Sequence, residues 1–173
     1  MNLKLLTIVI AVSLFLAGSA CSKQPEHTYK TSVQTALEQA DLKDVSVSED
    51  DDKNTITLTG TLHSEDAKQQ AADVAKANAG TRIVVNEVSV QPVGLESEAK
   101  NVASNLDNGI ENNYKAALVA KGLDKEHIKF DAKNGVLVLK GKVKNPTQRK
   151  EAEQLAQAVP NVQQVLNQID VSR

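Results

Sequence analysis

Shifting the chain by 81 residues brings two long stretches into register without a gap. This internal repeat restricts the available folds more than any other feature. ITLTGTLHSEDAKQQAADVAKANAGTRIVVNEVSV, from Ile56, aligns with LVLKGKVKNPTQRKEAEQLAQAVPNVQQVLNQIDV, from Leu137. Ile56, Leu58, Gly60 and Leu62 match Leu137, Leu139, Gly141 and Val143; Ala71, Val74 and Ala75 match Ala152, Leu155 and Ala156. Val84, Asn86, Val88 and Val90 match Val165, Asn167, Ile169 and Val171, and upstream Ala36, Leu37 and Leu42 match Ala117, Leu118 and Leu123. Apolar positions that coincide over such a span describe one folding unit used twice. Each copy is about 65 residues, small enough for stability to be marginal. With no Trp, two Phe and two Tyr, its core must be aliphatic.

Both copies read in the same order. A helix comes first, Thr31–Ala40 or Ile110–Lys121, then a short strand around Val45–Ser48 or Ile128–Phe130. The runs EDDDKN and DAKNG supply turn residues. In the next strand Ile56, Leu58 and Leu62 alternate with Thr55, Thr57, Thr59 and Thr61, which puts the two sets on opposite faces. A second helix runs from Ser64 to about Asn78, with Ser64 as cap and Glu65 and Asp66 in its first turn. In the second copy Asn145 caps and Pro146 takes the first helical position. Gly80 and Asn161 suit left-handed helix ends, and a last strand alternates through Val84, Asn86, Val88 and Val90. The order αββαβ, twice, predicts an α+β fold of two tandem domains. Each is a three-stranded sheet with two helices on one face, and its other face meets solvent or a partner.

The first twenty residues form a leader to be set aside from the fold. Lys4 gives it a positive start, Leu5–Ala17 is uncharged and apolar, and Gly18-Ser19-Ala20 offers small residues for cleavage. The apolar run falls short of the roughly 20 residues a spanning helix needs. Cys21, the only cysteine, follows directly. Ala17-Gly18-Ser19-Ala20-Cys21 resembles the lipobox of bacterial lipoproteins, which implies that the Cys21 thiol carries a diacylglyceryl group and anchors the chain in a membrane. Gly18 stands where that pattern usually has Leu, so simple cleavage after Ala20, leaving a soluble periplasmic chain, is the alternative. Several acyl chains anchor stably where one does not. Ser22 at the sorting position implies the periplasmic face of the outer membrane. The expected division is leader 1–20, lipidated terminus and tether 21–28, first domain 29–92, linker and helix extension 93–108, and second domain 109–173.

The repeated motifs carry a second resemblance. LTGTL and LKGKV, an Ala-rich helix, and then VVNEVSV and VLNQIDV are similar to the BON domain, an envelope module found in tandem in bacterial periplasmic proteins and lipoproteins. The resemblance runs from about Tyr29 to Val171. Together with the lipobox, it implies a lipoprotein that supports envelope integrity, and in such proteins the second domain is associated with anionic phospholipid.

Catalysis requires converging nucleophiles, bases and oxyanion donors, and none is visible here. His27, His63 and His127 stand alone, without a second ligand at metal-binding spacing. The acidic run Glu49–Lys53 lacks the glycine and distal Glu of a calcium loop. Gly60 and Gly141 are single strand glycines, a sign of close helix approach or a bulge. We therefore expect no enzyme, no cofactor and no metal. Nucleic acid is excluded by the compartment and by the lack of aromatic stacking platforms.

The copies differ in charge. Ser22–Pro92 holds seven Lys/Arg against twelve Asp/Glu, whereas Val93–Arg173 holds twelve against ten. Eight Lys/Arg fall between Lys125 and Lys150, against only Glu126 and Asp131. Where the first copy has its threonine row, the second has Val136, Val138, Lys140, Lys142 and Lys144. That row predicts an amphipathic basic face, suited either to anionic lipid or to keeping an exposed strand soluble. Between the copies, Leu95, Ala99, Val102, Leu106 and Ile110 recur at helical spacing. They predict a first helix longer than its counterpart, with Asn108-Gly109 the point where it would break. Its continuation through Tyr114, Ala117 and Leu118 could lie at a membrane interface or pack between domains. The expected partners are thus a membrane through acylated Cys21 and anionic phospholipid through the second domain. Envelope proteins or a second copy of the chain are the alternatives.

Overall fold

The computed structural model describes residues 28–172. The leader, Cys21, the tether as far as His27, and Arg173 lie outside the described residues. The first unit comprises α1 (Tyr29–Gln39), β1 (Val45–Asp50), β2 (Thr55–Leu62), α2 (Glu65–Asn78), β3 (Ile83–Asn86) and β4 (Ser89–Val90). The second comprises α3 (Glu96–Ala120), β5 (His127–Lys133), β6 (Val136–Val143), α4 (Pro146–Gln157) and β7 (Gln164–Val171). This is the expected αββαβ order, with one difference: the last strand of the first unit is interrupted, whereas β7 is continuous. In both sheets the second strand is central, antiparallel to the first and parallel to the last. The helices close one face over apolar cores, the first aliphatic as expected and the second also holding the Tyr114 and Phe130 rings; the first is centred on Val33, Leu37, Ile56, Leu58 and Ala75. Tyr114, Leu118, Leu137, Leu139 and Ala156 are their counterparts in the other.

Local chemistry sets the element ends. The Ser64 hydroxyl accepts from the Ala67 N–H, and the Asn145 side chain accepts from the Gln148 N–H, so both second helices begin on a satisfied cap. Gly80 and Asn161 follow these helices with φ of 59° and 67°. The strand glycines have a stricter reason. Gly60 and Gly141 sit at φ 135° and 112°, and a Cβ there would collide with the backbone carbonyls of Asp44 and His127 on the approaching chain. The expected close approach is thus made by the neighbouring strand rather than by a helix.

The repeated asparagine is a fastener. Asn86 donates its amide to the Lys68 carbonyl of α2 at 3.0 Å and accepts from the Val88 N–H at 3.3 Å. Asn167 repeats this, donating to the Arg149 carbonyl of α4 at 3.3 Å and accepting from the Ile169 N–H at 3.1 Å. It also donates to Glu153 at 3.0 Å. One side chain thereby ties the last strand to the second helix and bridges the strand's own backbone.

Helix α3 runs unbroken for 25 residues through Asn108-Gly109. The expected break is absent because a lone helical glycine costs only about 1 kcal/mol, which flanking turns absorb. Relative to α1, the extension is the segment before Ile110, the residue 81 positions after Tyr29. It brings Asp107 onto the β5–β6 turn, where its two oxygens accept from the N–H groups of Asn134 and Gly135 at 2.8 and 3.1 Å.

That turn, with Asn134 and Gly135 at φ 49° and 81°, is also where the domains meet. Asn134 donates to the Glu87 carbonyl at 2.8 Å, Lys133 pairs with the Glu87 carboxylate at 2.8 Å, and Gln164 donates to the Val84 carbonyl at 2.8 Å. Val85 of β3 is buried in a small cluster with Val136 and Leu166, and Val138 lies alongside. The edge of the first sheet is therefore covered by the second domain.

Two substitutions test this account. Asn167→Ala removes the fastener of the second domain and should lower its stability by about 1–2 kcal/mol, read from urea unfolding. A Cβ on Gly109 meets nothing within 4 Å. Gly109→Ala should therefore raise stability by about 0.5–1 kcal/mol, seen as a higher unfolding midpoint.

Candidate functional site

Strand register identifies the side chains that share the outer face of the second sheet. On central strand β6, Lys142 stands between His127 and Asp170, Lys140 between Lys129 and Gln168, Val138 between Asp131 and Leu166, and Val136 between Lys133 and Gln164. The face therefore has two halves. At the domain junction Val136 is only 2% exposed, covered by the cluster it forms with Val85 and Leu166, and Val138 is half-buried. The expected exposed valines are thus corrected: they serve domain docking, because β3 of the first unit lies over them. Lys140 and Lys142 occupy the open half and are exposed.

Lys129, exposed beside Lys140, was missed by reasoning along a single strand. The signal for it lies in β5 itself, where Ile128, Phe130 and Ala132 turn inward and so leave His127, Lys129, Asp131 and Lys133 to the other face. Lys144, just past β6, is drawn aside to Glu126, with Nζ 3.0 Å from the carboxylate. Gln148 donates to the same oxygen at 3.1 Å. The Lys144 hydrogen bond, joined by its charge and by Gln148, holds the Glu126 carboxyl below the ordinary glutamate value, against a smaller opposing effect of burial. Lys133 is likewise engaged by Glu87. Among the described residues, Lys129, Lys140 and Lys142 have no carboxylate within ion-pair distance. Asp131 and Asp170 share their face and dilute its positive charge.

Tyr114 and Leu118 do not reach the surface. They take the places of Val33 and Leu37 in the repeat and are buried in the second core, 0% and 3% exposed. Tyr114 meets Phe130 edge-to-face at 5.0 Å and donates its hydroxyl to the Ala152 carbonyl at 3.2 Å. Burial pushes that hydroxyl's pKa up. An interface role for these two residues is therefore corrected: the ring fills core volume. The exposed apolar side chains of this region are Leu95, Val102, Leu106 and Val119.

Other candidates have structural employment. Arg82 pairs with Glu49 at 2.9 Å and with Asp51, and lies over the Tyr29 ring at 5.4 Å. Lys53 pairs with Asp50 at 2.7 Å. The Lys53 hydrogen bonds keep the Asp50 carboxyl below the ordinary aspartate value. The acidic run thus fastens the β1–β2 turn to the end of α2 and the start of α1. His63 Nδ1 lies 2.9 Å from the Gln91 carbonyl, His127 stands on the β5 edge, and His27 lies outside the described residues. No cluster of three metal-ligating side chains occurs among the described residues. No helix among them is long and apolar enough to cross a membrane.

Comparison with known proteins fits this repeated architecture. The BON domain family matches residues 26–92 and again 106–173. Osmotically-inducible protein Y of Escherichia coli (strain K12) is 30% identical over 139 residues, covering 79% of this chain and 68% of that protein. Among solved structures, the C-terminal domain of CdsD, the structural protein of the type III secretion system of Chlamydia trachomatis, aligns with 16% identity and a TM-score of 0.34. A second CdsD structure aligns with 15% identity and a TM-score of 0.35. These alignments cover 80% and 84% of this chain, which spans 62% of the length of each CdsD chain. With a family match on both copies and a relative aligned along most of its length, the chain belongs to the BON-domain family.

Proposed function

We propose that this chain is a binding protein of the bacterial envelope, held at the outer membrane by acylated Cys21. Its second domain contacts anionic phospholipid head groups through Lys129, Lys140 and Lys142, and it acts to maintain the membrane under osmotic or envelope stress. The observation that carries this reading is the open half of the second sheet. Three lysines from adjacent strands stand there, and none is held by a carboxylate within ion-pair distance among the described residues. Each lysine near an anionic lipid surface contributes about 1 kcal/mol, reduced by salt. The osmotic induction named in its relative supports the stress assignment. Binding rather than catalysis is the role that this unconverged set of side chains can perform.

The test uses the chain from Ser22, which contains all eleven described elements, and sedimentation with vesicles that contain or lack anionic lipid. Binding should require anionic lipid, weaken with salt, and fall by about ten- to a hundredfold when Lys129, Lys140 and Lys142 are changed to Gln. Binding that is indifferent to these changes would remove the lipid assignment from this face and favour a protein partner. Intact mass of the membrane-extracted chain decides the anchor, since acylation adds acyl mass that simple cleavage after Ala20 does not.

Glu126 gives a separate prediction. Its depressed pKa means that it is ionised, and paired with Lys144, at pH 7 and down through the ordinary glutamate range; the pair is lost only as pH falls through the depressed value. Glu126→Gln should release Lys144 at neutral pH and strengthen anionic-vesicle binding by about fivefold, the worth of one added lysine.

A further inference from the structure

An edge strand offers unpaired backbone groups to another chain unless something blocks it. Three of the edge strands among the described residues are engaged. The second domain covers β3 through Gln164 and Asn134. On β7 the Asn167 side chain takes the Ile169 N–H, and Arg149 donates to the Asn167 carbonyl at 3.3 Å. On β1 Gln34 donates to the Val45 carbonyl at 3.4 Å, and the strand runs into the acidic residues Glu49–Asp52, which would repel a copy of themselves.

The remaining edge is β5. Lys133 and Val136 flank the two-residue turn Asn134-Gly135 and so form a hydrogen-bonded pair. Alternation from that pair turns the backbone groups of Asp131 and Lys129 toward β6 and those of Phe130 away from the sheet. The Ala132 N–H, which points the same way as that of Phe130, is indeed free of β6 and is taken by Glu111 at 3.0 Å. Among the described residues no such cap falls on the Phe130 N–H or carbonyl. Lys129 and Asp131 are exposed on either side of half-buried Phe130, and neither has an oppositely charged group within ion-pair distance among the described residues. By register they stand where β1 has Ser46 and Ser48, so the fold itself requires no charge at either position.

We propose that β5 is the contact through which two copies of this chain pair, antiparallel about a two-fold axis at Phe130. In that register the two Phe130 N–H and carbonyl groups bond one another. Lys129 of each copy then faces Asp131 of the other, at non-hydrogen-bonded positions where opposed side chains stand closest. A lysine alone on an edge strand keeps other strands away. A lysine and an aspartate two residues apart do the opposite, because reversal makes the strand its own complement. The half-buried Phe130 ring gains cover from its counterpart. The second sheet, three-stranded in one copy, becomes six-stranded across the pair, with Lys140 and Lys142 one strand away from the junction. Pairing does not rest on lipid binding.

Glu111 confines the backbone pairing to the middle of the strand, so the contact is small. Sedimentation equilibrium of the chain from Ser22, without lipid, therefore runs from about 10 µM to about 1 mM. A reversible dimer should form and should weaken at high salt. Asp131→Lys and Lys129→Asp, both at exposed positions, should each weaken it by about tenfold or more, since each sets like charges opposite one another. An equimolar mixture of the two variants should restore association, because each copy then faces the opposite charge. Lys30→Asp, an equal change of net charge at an exposed position of the first domain, should leave association unchanged. Absence of a dimer up to about 1 mM, a dimer that neither β5 variant weakens, β5 variants that fail to associate on mixing, or equal weakening by Lys30→Asp would each overturn the proposal.

Discussion

The side-chain amide of one asparagine per domain is the interaction on which the rest of the architecture depends. A parallel last strand has no hairpin to fix its register against the second, because a whole helix intervenes. Asn86 and Asn167 supply the missing constraint: each donates back to the helix and accepts from the strand two residues on. On the other side of the central strand, the first strand approaches closely enough that only glycine fits at Gly60 and Gly141. The repeated asparagine and glycine thus serve the two sides of the central strand, one holding the last strand to its helix and the other admitting the first strand. Over the same sheets the second helices, α2 and α4, bury mostly alanine, whereas α1 and α3 bury the larger Val33, Leu37, Ile110, Tyr114 and Leu118.

How the domains meet follows from the same template. Val85 and Leu166 are equivalent positions, as are Thr55 and Val136, and all four are buried. Outer-face residues that a lone domain would leave in water are consumed where one sheet lies against the other. Edge carbonyls of the first domain are taken up by Gln164 and Asn134 of the second. A small domain of marginal stability gains from this twice, by burying apolar surface and by covering a sheet edge that would otherwise invite another strand.

Much of this was legible in the sequence. The offset of 81 residues revealed the duplication, alternation placed Ile56 and Leu58 inward, and Ser64 and Asn145 marked helix starts that the structure bears out. What failed was inference about surfaces, because a surface is defined by what lies opposite and that information is not local. Val136 and Val138 alternate as outer-face residues should, yet their environment is set by Val85, which stands 51 residues before Val136. Tyr114 resembled an interfacial aromatic because tyrosine often is one. The repeat itself held the better signal, since its counterpart Val33 could only be core. Lys129 escaped for a related reason: it joins Lys140 across a strand pair, and no reading along one strand brings them together.

Duplication also explains why the two faces available for binding differ in chemistry. Once the junction has consumed one half of each outer face, the first domain retains Thr59 and Thr61, while the second retains Lys140 and Lys142 at the equivalent positions. Neither set contributes to a core, so each could diverge without cost to the fold. The α3 extension is the other point of freedom. It has no counterpart among the described residues of the first domain, and it fixes the β5–β6 turn through Asp107 while leaving its apolar side chains exposed. A helix needed only to hold a turn could end in polar residues on that side. That this one leaves Leu95, Val102 and Leu106 exposed is a departure that neither core formation nor domain docking requires.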